Sequence, residues 1–301
     1  MKKPVCLMLC ALIALCMCGA LAEGITVTDM TGREIALEAP LTRVVTLQPS
    51  DAEILYYLGA LDVLVGRGTY VDYPEEVLDI PVVNSGAETN LEEILALQPQ
   101  AVIMPTMAQP QEQIAALENA GVAVIVTDAS DIAGVYDAMT LIGAVVGRDA
   151  EAAELVEQMR AAFDDIAAQA GETGKTVYFE ISPLAYGLWT AGQGTFMDEL
   201  AALCGLTNVF GDPEGWQSVS SEQVIALNPD YIITTTNYPV DGMDPLEEIA
   251  AREGWESITA VANGDVVIAD NNTMTRPSPR LVEAAQFLLE LLQGAQADSA
   301  A

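Results

Sequence analysis

The chain has 301 residues, 51% hydrophobic and 6% aromatic, with 44 acids against 11 Lys and Arg, a formal net charge of −33, and no His. That apolar content argues for a packed fold rather than an acidic disordered chain, and the few Lys and Arg cannot build the cationic stripe that nucleic acid requires. Without His there is no Ser-His-Asp triad, no imidazole-bound zinc and no His-ligated haem.

Residues 1–22 read as a secretory signal peptide: Lys2 and Lys3 as the basic start, Val5 to Met17 as the apolar run, and Ala20-Leu21-Ala22 as the cleavage site. A membrane anchor is the alternative, at the lower limit of spanning length. So is lipidation at Cys18 or Cys16, although the preceding Met17 and Leu15 are not small. Cleavage removes two cations and no acid, so the mature chain carries −35. Of the five Cys only Cys204 remains, which excludes an internal disulfide and a cysteine metal site. In the run Leu200–Leu206 it reads as a buried core thiol.

Short apolar runs then alternate with helical patterns. Strands are expected at Arg43–Leu47, Val63–Val65, Ala101–Met104, Ala123–Thr127, Thr176–Ile181, Tyr231–Thr235 and Val266–Ala269. Helices are expected at Asp51–Leu58, Leu91–Leu97, Gln111–Ala120, Thr195–Leu203, Ser221–Leu227 and Pro279–Leu292. The alternation predicts an α/β fold with mainly parallel sheets. Ile132–Ala170 has no strand signal, and its Ala/Glu-rich second half ends at Gly171, a good position to stop a helix. One long helix near 149–170 is therefore expected to join two α/β lobes. The corresponding division is 23–130 for the first lobe, 131–171 for the helical connector and 172–301 for the second lobe.

An internal repeat supports two lobes. Glu92-Glu93-Ile94-Leu95-Ala96-Leu97-Gln98-Pro99 returns 130 residues later as Glu222-Gln223-Val224-Ile225-Ala226-Leu227-Asn228-Pro229, each copy running into a predicted strand. Asn90 with Glu93, and Ser220 with Gln223, have the spacing of capping boxes. Glu92 and Glu222 are then surplus. Complementing the helix dipole accounts for one acid at that position, but not for a matched pair, so a structural and a functional role stand side by side.

These elements resemble the substrate-binding proteins of ABC importers for iron-siderophores, haem and cobalamin, over nearly all of the mature chain. Thr28-Asp29-Met30-Thr31-Gly32-Arg33-Glu34-Ile35 followed by Arg43-Val44-Val45 looks like that family's opening hairpin and first strand. Leu58–Gly66 with Tyr73-Pro74, the two segments Asn90-Leu91-Glu92 and Val219–Val224, and Ser278-Pro279-Arg280 before the last helix follow in the family's order. The resemblance implies two lobes on one connecting helix with little hinge closure. It also implies that Glu92 and Glu222 meet arginines on the two subunits of an ABC permease dimer with its ATPase subunits. Carboxylates facing guanidinium forks give oriented, charge-assisted bonds.

The ligand is expected between the lobes. Candidate contacts are the loop aromatics Tyr70, Trp189 and Trp216; Trp255, spaced helically with Ile258 and Val261, reads as core. Among the nine mature cations only Arg67 and Arg276 fall in loops near the cleft, too few for a triply anionic ferric catecholate. Arg280 reads as pinning the last helix. The resemblance matches Tyr70, Trp189 and Trp216 to the aromatic positions of cobalamin-binding members, and puts Asn272 where those members carry an acid. The reading is delivery of a corrinoid, with a neutral hydroxamate siderophore or haem as alternatives. Haem would need Tyr or Met ligation, but Met104 and Met107, next to a strand end, read as core. No resident cofactor or metal is expected, and a monomer is. A sensor or scavenger without a permease is a competing class. An enzyme is not expected: Asp164-Asp165 and Glu247-Glu248 point away from each other on a helix, and no nucleophile elbow or phosphate loop occurs.

Overall fold

The computed structural model describes residues 24–86, 89–107 and 111–299; the signal peptide and the Cys18 anchor read from the sequence lie outside them. The chain opens with an antiparallel hairpin, β1 (Ile25–Thr28) and β2 (Glu34–Leu37). Its turn is tied by Asp29, whose Oδ1 accepts from the backbone N–H groups of Thr31 and Arg33, both at 3.0 Å, while Arg33 returns its guanidinium to Oδ2.

The first sheet follows: β3 (Val44–Thr46), α1 (Pro49–Tyr57), β4 (Leu64–Gly68), β5 (Val82–Val83), α2 (Leu91–Ala96), β6 (Ala101–Met104), α3 (Gln111–Asn119) and β7 (Ala123–Val126). Its five strands are all parallel in the order β5-β4-β3-β6-β7. Val44, Val45 and β6 are wholly buried, as strands covered on both faces require.

Two helices come next, α4 (Ile132–Val146) and α5 (Asp149–Ala170). The second is the long helix expected from composition. The first lies inside the helical connector read at 131–171, but its bounds were not anticipated, because Gly134 and Gly143 interrupt its pattern. Gly143 is there for packing: a Cβ on it would sit 2.5 Å from the Ala152 Cβ, so its absence lets the two helices approach.

Beyond α5 lie β8 (Lys175–Glu180), β9 (Trp189–Ala191), α6 (Phe196–Leu203), β10 (Leu206–Asn208), β11 (Trp216–Ser218), α7 (Ser221–Leu227), β12 (Tyr231–Thr234), α8 (Pro245–Ala251), α9 (Thr259–Asn263), β13 (Val266–Ile268), α10 (Asn271–Thr275) and α11 (Leu281–Ser299). The second parallel sheet runs β10-β8-β12-β13. All strands of the first sheet precede α5 and all strands of the second follow it. The short β9–β11 ribbon and α10 carried no periodic signal long enough to read, whereas helix was expected at Glu247-Glu248 and around Ile258 and Val261, where α8 and α9 lie. Cys204 is a buried thiol, pushed up to about 12 by burial and donating to the Ala285 carbonyl at 3.4 Å.

Where α5 ends, Gly205 meets Gly171. Gly205 has φ +72, and a Cβ there would lie 1.9 Å from the Gly171 carbonyl oxygen. Gly205→Ala combines a left-handed conformation with a backbone clash, and should destabilise the fold by about 2–4 kcal/mol. Thermal denaturation checks it; an unchanged melting temperature would mean the turn relaxes freely.

Candidate functional site

The repeat read from the sequence is a structural repeat. Gln98 (φ 51) and Asn228 (φ 47), at equivalent positions, both take the left-handed conformation that turns the chain out of a helix towards the following strand. Ile94 and Val224 are the fully buried anchors of α2 and α7. The caps differ from expectation in one copy. Ser220 and Gln223 form the capping box, at 3.3 and 2.8 Å. Asn90 accepts from the N–H groups of Glu92 and Glu93, but the Glu93 carboxylate goes to the Asn84 N–H and the Asn90 amide, because the Asn90 N–H is already bound to the Asn84 carbonyl. In both copies the acid of the first turn, Glu92 or Glu222, is exposed. The Glu222 carboxyl is held below its ordinary range by hydrogen bonds from its own backbone N–H and the Ser220 side chain.

A cavity of about 600 Å³ opens where parallel strands end, the usual ligand position in open α/β sheets. From the first sheet it is lined by Leu47–Ser50 after β3, Tyr70 after β4, Ser85 and Gly86 after β5, Pro105 and Met107 after β6, and Asp128–Ser130 after β7. The second half contributes Ile181 after β8, Phe196, Trp216 and Thr275–Pro277. Trp216 packs edge-on against Phe196, ring centres 5.4 Å apart, and remains 41% exposed. Tyr70 is 71% exposed on the opposite side.

Three of the six pocket residues expected from the sequence therefore meet here: Tyr70, Trp216 and Arg276. The other three do not line the cavity. Arg67 is buried at 8% exposure and spends its guanidinium on the Val71 carbonyl at 2.7 Å and the Ile80 carbonyl at 3.2 Å, so it braces the loop that carries Tyr70. Asn272 lies at the opposite end of α10 from the lining residues Thr275–Pro277. Trp189 and Trp216 are on strands rather than loops. They share one face of the β9–β11 ribbon, but Trp189 pairs with Ser218, two residues along the strand from Trp216, outside the cavity lining. Trp255 is core as expected, its Nε1 donating to Ser221 Oγ at 2.5 Å. Met104 is core, whereas Met107 is a wall residue, 79% exposed.

Sequence reasoning missed Gln48, Phe196, Asp128 and Ser130. Gln48 and Asp128 immediately follow predicted strands and Ser130 lies three residues past one, so the strand-end rule would have found them. Below Gln48 lies Asp51, wholly buried, its carboxyl pushed up to about 7 by burial against hydrogen bonds from Gln48 and Thr127. One Asp51 oxygen has no hydrogen-bond partner among the described residues.

The rim opposite is an ionic clasp between the halves. Buried Glu53 accepts from Arg276 at 2.9 Å and Ser278 Oγ at 2.5 Å, with Arg280 at 3.5 Å. Arg276 also reaches Asp72 at 2.7 Å, and Arg280 lies 4.2 Å over the Tyr73 ring. Arg280 thus pins the start of α11 to the first half.

Residues 44–273 match the family described as periplasmic binding protein. The chain belongs to the periplasmic binding protein family. It is a substrate-binding protein of the class that serves ABC importers of siderophores, haem and cobalamin, as its motifs implied. The chain is 32% identical over 273 residues to an uncharacterised ABC transporter substrate-binding lipoprotein, YvrC, of Bacillus subtilis, covering 88% of this chain and 84% of that one. It is 28% identical to a cobalamin-binding protein of Halobacterium salinarum, over 86% of this chain and 71% of that one. A crystal structure described as a possible iron-binding periplasmic solute-binding protein of Staphylococcus epidermidis superposes with a TM-score of 0.73 at 30% identity, over 84% and 98% of the two chains.

Proposed function

We propose that this chain is exported, binds a corrinoid in the interlobe cavity and delivers it to an ABC permease dimer through Glu92 and Glu222. The observation that carries the corrinoid reading is the cavity wall: broad aromatic and apolar surface from Tyr70, Phe196 and Trp216, with Arg276, the one cation among the described lining residues, already held by two acids. Such a wall suits a large ligand without net negative charge. The cobalamin-binding protein among the relatives supports the same reading. YvrC is a lipoprotein by name, which supports the anchor alternative at Cys18 where the flanking residues do not.

Protein purified from its native host tests the ligand. Corrinoid absorbance bands and a matching mass are expected; a porphyrin or ferric hydroxamate spectrum would overturn the assignment. A second reading, haem, draws on Tyr70 and Met107, two residues of ligating type on the wall. Against it, Arg276 has no charge to spare for propionates.

Trp216 should matter most among the wall aromatics, because the edge-on contact with Phe196 holds it in place. Trp216→Ala is expected to weaken cyanocobalamin binding by about 1–3 kcal/mol through lost contact area. Trp189→Ala should change it by less than about 0.5 kcal/mol. Equal losses at both positions, measured by calorimetry, would contradict this placement.

A further inference from the structure

Among the described residues lining the cavity, two are charged, Arg276 and Asp128, and their surroundings differ. The Arg276 guanidinium lies 2.9 Å from Glu53 Oε1 and 2.7 Å from Asp72 Oδ1. A cation clamped by two carboxylates presents no net positive field to a ligand. Asp128 is exposed, and no described cation pairs with it. Its position is nevertheless fixed: Oδ2 accepts from the Thr106 hydroxyl, and its backbone N–H points at Met30 Sδ, 3.3 Å away. Thr106 and Asp128 follow β6 and β7, adjacent strands of the first sheet, so the carboxylate is mounted on the sheet edge rather than on a free loop. Its other oxygen, Oδ1, has no partner among the described residues.

We infer that Asp128 is a specificity-determining residue of the cavity, selecting ligands that bring a positive charge or N–H donors to the β6–β7 wall and rejecting anionic ones. The inference rests on the reading of this cavity as the ligand site and adds the charge class of the ligand. A donor or cation placed there gains a charge-assisted hydrogen bond to a preoriented acceptor. An anion placed there meets a carboxylate with no nearby cation free to offset it. Corrinoids satisfy the rule through their peripheral primary amides, and cationic ferric hydroxamates satisfy it through their charge; ferric catecholates and haem propionates do not.

The test is calorimetry on wild type and Asp128→Asn, which keeps the shape and an acceptor for Thr106. Aquocobalamin at pH 6 is the cationic probe, cyanocobalamin the neutral one and a ferric tris-catecholate the anionic one. In low salt the Asn variant should lose about tenfold in affinity for aquocobalamin and about threefold or less for cyanocobalamin. Its affinity for the catecholate should rise. The aquocobalamin effect should shrink in high salt. A cationic-to-neutral preference that is the same in wild type and variant would overturn the inference. Should neither corrinoid bind, the same comparison with ferrioxamine B, cationic, against ferrichrome, neutral, decides the role of Asp128. In that case the corrinoid reading fails, and the charge rule stands or falls on its own ratio.

Discussion

Replacing Glu92 and Glu222 together by alanine should reduce import to the level of cells lacking the protein while ligand affinity stays within about twofold of wild type. Both acids are exposed at the first turns of α2 and α7, and neither lines the cavity. Their helices do not depend on them. Asn90 and Ser220 supply the caps, and Ile94 and Val224 supply the buried anchors. The variant should therefore fold and bind normally, and fail only where the two carboxylates would meet arginine forks on a permease. Each single variant should retain partial import, because one contact of the pair survives. Normal import by the double variant would remove the docking role, and a lost ligand affinity would place these acids in the pocket.

Arg252→Leu should cost about 3–5 kcal/mol of stability, among the largest effects of any single substitution in the second half. Arg252 is buried between Glu180 at 2.5 Å and Glu248 at 2.5 Å, and stacks 4.3 Å over the Trp255 ring. It ties α8 to β8, and the residue after Glu180 is Ile181 of the cavity wall. Burial already pushes the Glu180 carboxyl above its ordinary range, with Arg252 opposing. Without the guanidinium the carboxyl rises further. A folded-state value above the unfolded one favours folding at low pH and loses that advantage as pH rises through it. The deficit of the Leu variant should thus be smallest near pH 4 and grow towards pH 8. Adding Glu180→Gln and Glu248→Gln should recover much of the loss, since uncompensated buried charge is its cause. Chemical denaturation across pH checks both points; a deficit independent of pH would contradict this account.

The sequence made the longer parallel strands legible, though not the short β5 and β10, because strands buried on both faces leave runs such as Ala101–Met104 and Tyr231–Thr234 with no competing helical period. Gly171 marked the end of α5 in the same way. The bounds of α4 were hidden by Gly134 and Gly143, the second of which serves packing against α5 rather than a turn. The ribbon β9–β11 was hidden by length, three residues a strand, and with it the true positions of Trp189 and Trp216. Of the site, the matched acids Glu92 and Glu222 were visible through the 130-residue repeat, which by itself left their role open. The pocket was half visible. Loop aromatics and arginines can be listed from sequence, but whether Arg67 turns inward to carbonyls or outward to a ligand is decided by the Val71 and Ile80 carbonyls, which only folding brings within reach.

Direct titration of the purified protein with cyanocobalamin, ferrichrome and haemin at two salt concentrations tests whether the cavity takes a corrinoid. One cyanocobalamin per chain is expected at sub-micromolar affinity, about 8 kcal/mol or more, nearly independent of salt. Tight binding of haemin or ferrichrome with no response to cyanocobalamin would contradict it.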